Sequence, residues 1–228
     1  MELKWQDIWQ SKYESKDIPH IQAGFNDLTA KEWKILVNTF INLIDINNNS
    51  QILDVGCGVG AFSEHITNYK TLSGIDYSVN AINNIRSRIK GDFHIGGADR
   101  LPFPDNKFDV IISFSTFFYF RSYEYAEICI NEIIRKGSKK GKIFIGDIND
   151  LDKKNIYYKI RSDESKKRLE TQKTKGAARE HLFYPKSFFY DLGEKNNMNI
   201  EIFDEEKMGI DFYSSSLYRY SVVYKLNK

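Results

Sequence analysis

The amino-acid sequence predicts a single α/β domain whose sheet is doubly wound and mostly parallel, and three observations carry this prediction. Between Gln51 and Asp147, short apolar runs alternate with stretches whose apolar residues recur at helical spacing. A glycine-rich turn follows the first of these apolar runs. The run at 108–114 is apolar nearly throughout, as expected of a strand that is buried on both faces. Strands that alternate with helices form parallel sheets with right-handed crossovers.

The composition of the 228 residues excludes several classes of protein. A hydrophobic fraction of 41% is too high for a disordered chain, and a net charge of +2 is too small for global electrostatic binding of nucleic acid. The first residues are charged throughout and lack the apolar centre of a signal peptide. The longest apolar run, 110–120, is shorter than the roughly 20 residues of a membrane-spanning helix. Two cysteines far apart in sequence, Cys57 and Cys129, suit a reducing compartment, so we expect a cytoplasmic protein.

The predicted elements divide the single domain into four segments. Strands are expected at 51–55, 71–76, 93–95, 108–114, 142–147, 199–203 and 217–224. Helices are expected at 61–69, from Ser78 to near Gly91, from Ala126 to Gly137 and at 185–195. The segments are an N-terminal helical segment at 1–50, a core at 51–147, an insertion at 148–184 and the C-terminal part of the core at 185–228.

The N-terminal segment is expected to be helical. Thr29 and Glu32 have the spacing of a capping box and begin a helix with a wide apolar stripe. Before it, Trp5, Trp9 and Tyr13 recur at helical spacing. These three aromatic residues either cover a ligand or pack on the core, and the sequence leaves both interpretations open.

The glycine-rich turn predicts a binding site for an adenosine-containing cofactor. Glycines permit positive φ angles and close approach of a ligand, and the start of a following helix favours an anionic group. Gly56, Gly58 and Ala61 match the dinucleotide pattern G-x-G-x-x-G/A, while Gly60 also completes the tighter G-x-G-x-G. Asp76, 20 residues after Gly56, lies where an acid holds ribose hydroxyls in either kind of cofactor.

Two further features distinguish between a dinucleotide and another adenosine-containing cofactor. Asp54 precedes the glycines, where a carboxylate would repel a pyrophosphate and would suit an ammonium group. The stretch 98–105, ADRLPFPD, is followed by Phe108-Asp109 at the start of an apolar strand. With these motifs in order, residues 51–147 resemble the class I S-adenosylmethionine-dependent methyltransferases, and more narrowly their small-molecule, type 11/25-like branch.

The resemblance implies a Rossmann-like sheet of seven strands with an antiparallel last pair, N-terminal helices and an insertion after the fifth strand. It also implies S-adenosylmethionine as the cofactor and no metal. The cofactor-binding residues that it implies are Asp54, Gly56, Gly58, Gly60, Asp76, Tyr77, Ala98, Asp99 and Ser113.

The resemblance also implies which part of the cofactor each residue contacts. Asp54 lies near the methionine amino group, the glycines pack on the methionine moiety and Asp76 bonds the ribose. Tyr77 flanks the adenine, and Ser113 lines the methyl end. Relatives usually carry Asp at the position of Gly97, so either Asp99 replaces that acid or the backbone at Ala98 reads the adenine edge.

The methyl acceptor is expected at the carboxyl ends of the fourth and fifth strands, where open α/β sheets bind ligands. The loop at 115–120 carries four aromatic residues, which suit a pocket wall and core packing equally. Between Lys153 and Arg179 there are ten Lys or Arg and only three acids. This excess is typical of a solvated helix surface, or else of a cap that attracts an anionic acceptor, in which Arg161, Arg168 and Arg179 would contact phosphate.

These observations predict methyl transfer to an oxygen or nitrogen of a small, polar, anionic metabolite, such as a sugar-nucleotide or surface-glycan precursor. His181 is the candidate general base, because its ordinary pKa lies near neutrality. Tyr119, Arg179 and Tyr184 are the candidate substrate contacts. The alternatives are a methyltransferase that acts on RNA or protein and an NAD(P)-dependent oxidoreductase. Binding to nucleic acid or membrane is not expected, and the sequence leaves the oligomeric state open.

Overall fold

The computed structural model describes residues 5–14, 17–169 and 181–227, and its centre is a seven-stranded sheet. The strands are β1 Gln51–Val55, β2 Thr71–Asp76, β3 Asp92–Ile95, β4 Phe108–Phe114, β5 Gly137–Asn149, β6 Asn199–Asp204 and β7 Arg219–Lys225. They lie in the order β3-β2-β1-β4-β5-β7-β6. Strand β7 runs antiparallel to both of its neighbours, and the other pairs are parallel. The predicted mostly parallel, seven-stranded sheet is confirmed, and the mixed part is confined to its C-terminal edge.

Seven helices connect and flank the strands in the described ranges. They are α1 Trp5–Lys12, α2 Pro19–Gln22, α3 Ala30–Ile41, α4 Val79–Arg88, α5 Tyr123–Lys136, α6 Lys154–Leu169 and α7 Lys186–Lys195. The expected capping box is present, because Thr29 and Glu32 satisfy each other's backbone N–H groups at the start of α3. Ser78 caps α4 through the Ala81 N–H, so this local chemistry is read correctly from sequence.

The helix expected at 61–69 does not form, and this prediction is wrong. A single 3-10 turn at Ser63–His65 replaces it. The Ala61 carbonyl, which an α-helix would bond to the His65 N–H, instead accepts a hydrogen bond of 3.2 Å from the Trp33 indole. The His65 N–H bonds the Phe62 carbonyl at 3.1 Å, which is the 3-10 pattern. A side chain from α3 therefore takes the acceptor that helix propagation needs.

Among the strands, the start of β5 differs most from expectation. Strand β5 begins at Gly137, five residues before the expected 142, because Gly137 pairs with Phe108 on the neighbouring strand. The predicted insertion at 148–184 contains α6, which packs against the short helical turn at Ser214–Tyr218. Arg179 lies outside the described residues, as does the side chain of Arg168, so the basic cap remains a prediction.

Helices cover both faces of the sheet, which makes the domain a three-layer α/β/α structure. Buried side chains of α3 and α4 join one core cluster, and buried side chains of α5 and α7 join the other. Strand β1 lies between β2 and β4, so the strand order reverses at β1/β4, and the carboxyl ends there form the ligand crevice of such sheets. Across the described parts of the chain, no helix has the length and apolar character needed to span a membrane.

Candidate functional site

A cavity of about 300 Å³ opens at the carboxyl ends of β1, β2 and β4, and we call it the cofactor cavity. Its walls are the glycine-rich turn after β1, the end of β2, the loops after β3 and β4, and the N-terminal helix α1. Six of the predicted cofactor-binding residues line it: Asp54, Gly56, Gly58, Asp76, Tyr77 and Ala98. The site therefore lies at the switch point of the sheet, where the sequence predicts it.

The glycine-rich turn needs glycine at its first two positions. Gly56 and Gly58 have φ angles of 78° and 50°, in the left-handed region that favours glycine. A Cβ on Gly56 would lie 2.5 Å from the hydroxyl oxygen of Thr116, and one on Gly58 would lie 2.8 Å from that of Tyr13. The turn thus brings bare backbone against the loop after β4 and against the N-terminal segment.

Gly60, Ser113 and Tyr184, which the sequence predicts as site residues, lie away from the cavity. Gly60, also at positive φ, faces α4, and a Cβ there would lie 2.7 Å from the side chain of Ile85. The Ser113 hydroxyl turns into the sheet and donates a 2.9 Å hydrogen bond to a carbonyl of β1. Tyr184 is fully buried among core aromatics, and its hydroxyl donates to the Phe117 carbonyl at 2.8 Å. Gly60 therefore permits helix packing, and the loop residues Ser115 and Thr116 take the place expected of Ser113.

Asp54 is a buried carboxylate at the end of β1. Its Oδ2 accepts a 2.5 Å hydrogen bond from the Ser63 hydroxyl, which the 3-10 turn after the glycines turns inward. Burial, with a smaller contribution from the nearby Asp76, raises the pKa of Asp54 to about 7, although the Ser63 bond opposes the shift. Nothing in the glycine motif indicates Ser63, which acquires its role only because the expected helix is absent.

Asp76 ends β2 and is also buried. Its two oxygens accept backbone hydrogen bonds from Gly58 at 3.0 Å and from Ser78 at 2.8 Å. Burial raises the pKa of Asp76 to about 6, against these two bonds. Within the described ranges, no Lys, Arg or His forms an ion pair with Asp54 or Asp76. Two carboxylates that lack protein cations fit a ligand that brings ribose hydroxyls and an ammonium group.

The part of the cavity near Ala98, where the sequence predicts the adenine, is built differently from the expectation. Asp99 does not line the cavity; its carboxylate accepts a 2.9 Å hydrogen bond from the hydroxyl of Tyr125, which does. The guanidinium of Arg121, another lining residue, lies 4.3 Å from the centroid of the Tyr125 ring. Asp99 therefore acts on the cavity through Tyr125, while Ala98 reaches the cavity directly. The sequence did not single out Tyr125 or Arg121.

The opposite end of the cavity is aromatic. Trp5, Trp9 and Tyr13 of the N-terminal segment all line it, and Tyr119 meets Trp5 edge-on with ring centroids 4.7 Å apart. Ser115 lines the same end with a φ of 55°, which is unusual for a non-glycine residue and is a feature of functional loops. Tyr119 thus lies at the predicted acceptor end, and the N-terminal aromatics face the space where a ligand would bind.

His181 lies one ring layer behind the cavity. It stacks on Trp5 with a centroid distance of 5.0 Å, and its Nδ1 is 3.0 Å from the Tyr157 hydroxyl. Burial, followed by the positive charges of Arg161 and Arg219, lowers the pKa of His181 to about 3. The imidazole is therefore neutral near pH 7 and is a weaker base than an ordinary histidine.

A second group of buried charges lies near the end of β5, and no pattern along the chain indicates it. Arg219 forms an ion pair with Asp147, whose other oxygen accepts a 2.8 Å hydrogen bond from Tyr213. Glu205 accepts the Asp147 N–H at 3.0 Å, and burial raises the pKa of its carboxyl well above the ordinary value. Asp147 precedes the other three residues by 58 to 72 positions, so only the folded chain brings it to them. We call the four residues the Asp147–Arg219 cluster.

Comparison with known proteins identifies the class. The family model described as a methyltransferase domain matches residues 53–145. The resemblance to methyltransferases is thereby confirmed for this stretch, which is less than half of the chain. Among the described residues, no group of three or more His, Cys, Asp or Glu could hold a metal ion.

Sequence relatives are similar over limited stretches. Phosphoethanolamine N-methyltransferase of Triticum aestivum is 33% identical over 84 residues, which are 34% of this chain and 17% of the wheat enzyme. An uncharacterized protein of Methanocaldococcus jannaschii is 29% identical over 142 residues, 60% of this chain and 58% of that protein. The chain therefore spans less than two thirds of either relative.

Solved structures share the fold at low identity. Phosphoethanolamine N-methyltransferase 1 of Haemonchus contortus, in complex with phosphoethanolamine and S-adenosylhomocysteine, has a TM-score of 0.68 and 13% identity over 96% of this chain and 47% of that one. Magnesium protoporphyrin IX methyltransferase of Synechocystis with bound S-adenosylhomocysteine has a TM-score of 0.64 and 14% identity, over 96% and 93% of the chains. A Haloferax volcanii methyltransferase complex with the Trm112 activator has a TM-score of 0.67 and 13% identity, over 99% and 100%.

Proposed function

We propose that this protein transfers the methyl group of S-adenosylmethionine to an oxygen or nitrogen of a small, polar, anionic metabolite. The observation that carries the proposal is the pair of buried carboxylates, Asp54 and Asp76, that face one cavity without a protein cation. Isolated buried carboxylates are unfavourable unless a ligand supplies hydrogen-bond donors or positive charge. Ribose hydroxyls on Asp76 and the methionine ammonium on Asp54 supply both.

The roles of the residues follow from this arrangement. S-adenosylmethionine supplies an activated methyl group on a sulfonium, so the protein's task is mainly alignment. Asp76 and Asp54 hold the ribose and the methionine amino group of the cofactor, and the aromatic wall of Trp5 and Tyr119 excludes water from the acceptor. Because His181 is a weak base set behind that wall, the geometry favours an acceptor that needs no general base, namely an amine or an oxygen that is already ionised.

A positively charged side chain of α6, Arg161, supports an anionic acceptor. The Arg161 guanidinium donates a 2.5 Å hydrogen bond to the Tyr157 hydroxyl and lies 3.3 Å from His181 Nδ1. Among the acids whose side chains the structure describes, none forms an ion pair with Arg161, and its positive charge would suit an anion on the acceptor. The wheat relative and the Haemonchus structure both carry the name of phosphoethanolamine, a small amine with a phosphate group. Arg179 remains a proposed contact of the same anion.

The experiment that tests the proposal begins with ligand binding. We expect calorimetry to show micromolar binding of S-adenosylhomocysteine and no binding of NADH, and preferential NADH binding would end the proposal. Turnover is then measured as S-adenosylhomocysteine release with three pools from a cell extract: small metabolites, RNA and protein. Release with the small-metabolite pool supports a small acceptor. Release with only the RNA or protein pool would assign the enzyme to one of the macromolecular classes.

A further inference from the structure

Helix α1 is fixed to the strand end that carries Asp76. The Ser78 hydroxyl donates a 2.6 Å hydrogen bond to the side-chain oxygen of Gln10, and the Asn80 amide donates to the Gln10 carbonyl at 3.1 Å. The N–H of the same Ser78 bonds Asp76 Oδ1. One residue thus joins α1, the cap of α4 and the ribose-binding carboxylate, so the position of α1 is set relative to the cofactor site.

The segment just after α1 places Tyr13 over that carboxylate. The Tyr13 hydroxyl oxygen lies 2.8 Å from where a Cβ on Gly58 would stand, and the Gly58 N–H bonds Asp76 Oδ2 at 3.0 Å. The Tyr13 ring is held from behind by Trp9, with ring centroids 5.4 Å apart. Tyr13 lines the cofactor cavity, and its hydroxyl points to the same part of the cavity as Asp76.

That hydroxyl lies at the cavity wall, where a ligand can reach it. The Tyr13 side chain is half-buried, and the hydroxyl forms no hydrogen bond to another described residue. Burial, and then the negative charge of Asp76, raises the pKa of the Tyr13 phenol, so it stays protonated and can act as a donor. A ligand bound here would satisfy both residues with a group that accepts from Tyr13 while it donates to Asp76. A ribose hydroxyl has this dual capacity.

We propose that Tyr13 is a cofactor-binding residue whose hydroxyl donates a hydrogen bond to a ribose hydroxyl held by Asp76, with Gln10 positioning α1 for that contact. The inference rests on the proposed function, because it needs an adenosine-containing cofactor in the cavity. It makes the N-terminal segment part of the binding site, beyond a cover of aromatic rings.

The test compares Tyr13→Phe with Tyr158→Phe, which removes the same hydroxyl from an exposed position on α6. A single neutral hydrogen bond contributes a factor of about two to ten in affinity. We expect Tyr13→Phe to weaken S-adenosylhomocysteine binding by that factor in calorimetry, with the free energy of unfolding of the cofactor-free protein unchanged, because the ring remains. Tyr158→Phe should bind as the wild type does. Equal affinity of Tyr13→Phe and wild type would overturn the proposal.

A second measurement keeps the proposal testable if Tyr13→Phe is poorly folded. Backbone hydrogen exchange of residues 5–14 is followed in the wild type with and without S-adenosylhomocysteine. Helix α7 is the internal reference, because it packs in the core on the other face of the sheet and none of its residues lines the cofactor cavity. Slower exchange of residues 5–14 on binding, reduced in Gln10→Ala, supports the proposal, and unchanged exchange contradicts it. Failure of the wild type to bind S-adenosylhomocysteine at all would instead overturn the proposed function.

Discussion

The cofactor cavity and the Asp147–Arg219 cluster both bury carboxyl groups at the carboxyl ends of strands, but they treat the charge in opposite ways. In the cavity, the partners of Asp54 and Asp76 among the described residues are one hydroxyl and two backbone N–H groups. In the cluster, Asp147 has the guanidinium of Arg219 and the Tyr213 hydroxyl. A buried charge that the protein pairs itself is part of the architecture, whereas one that the protein leaves unpaired marks a place where a ligand completes the site.

We expect the largest effect from a substitution that removes the cation of the Asp147–Arg219 cluster. Arg219→Met should reduce the free energy of unfolding by about 3–5 kcal/mol, because it leaves the Asp147 carboxylate buried without its cation. The measurement is urea denaturation of the cofactor-free protein. The matched control is Lys195→Met, which removes an exposed ion pair with Glu127 and should change stability by less than about 1 kcal/mol. Similar losses in both variants would show that the cluster has no special structural role.

For substitutions in the cofactor cavity, we expect a loss of cofactor affinity rather than a loss of free energy of unfolding. Asp76→Ala should weaken binding of S-adenosylhomocysteine about tenfold to a hundredfold, because hydrogen bonds to a charged acceptor contribute about 1.5–3 kcal/mol. Calorimetry on the folded variant measures this directly. Asp99→Ala is the control and should lose less, because Asp99 reaches the cavity only through the Tyr125 hydroxyl. Equal losses at the two positions would contradict the assignment of the ribose site to Asp76.

The two cavity acids should also make the free energy of unfolding depend on pH. The pKa values of Asp54, about 7, and Asp76, about 6, lie above those of an unfolded chain, so the folded protein binds more protons between about pH 4 and 7. Their stabilising contribution is complete below about pH 4 and is lost as pH rises through 6 and 7. The contribution of these two groups to the free energy of unfolding of the cofactor-free protein should therefore fall over this range, by at most about 1.4 kcal/mol per pH unit for each group. His181, whose pKa is lowered to about 3, contributes the opposite slope below its ordinary pKa of 6.5.

Urea denaturation at a series of pH values measures this slope, and Asp54→Asn should reduce it. The pKa of Glu205 is also raised, so Glu205→Gln is needed to separate the cluster's part of the slope. Saturating S-adenosylhomocysteine should flatten the cavity's part, since the ligand stabilises the ionised carboxylates. An identical pH slope in the wild type and in Asp54→Asn would contradict this account of the buried acids.

The smallest effect is expected at His181, which stands between the two regions. A general base contributes about 10²–10⁴ in rate, whereas a wall residue with a pKa of about 3 should contribute less than about tenfold to kcat. The variant is His181→Asn, assayed with the acceptor identified from the metabolite pool, and cofactor affinity serves as its control. A kcat lowered by a hundredfold or more, with loss of an inflection near neutral pH, would restore His181 as the general base.

Much of the fold and half of the site follow from short stretches of sequence. The capping box at Thr29, the Ser78 cap and the bounds of β1, β2 and β4 were predicted correctly, because each depends on residues within a few positions of one another. Six of nine predicted cofactor residues line the cavity for the same reason. The wrong helix at 61–69 shows the limit of such reasoning, because its propagation is stopped by Trp33, a residue 28 positions away.

The sequence by itself determined the alternation of strands and helices, the glycine turn and the acid that ends β2, because local backbone chemistry leaves few alternatives at these places. Only the tertiary structure decided what covers and supports them. It turned Ser113 and Tyr184 inward, brought Ser63 to Asp54, laid Trp5 and Tyr13 over the cavity and joined Asp147 to Arg219 across 72 positions. Such contacts depend on which surfaces pack together once the sheet has formed, and no periodicity along the chain records them.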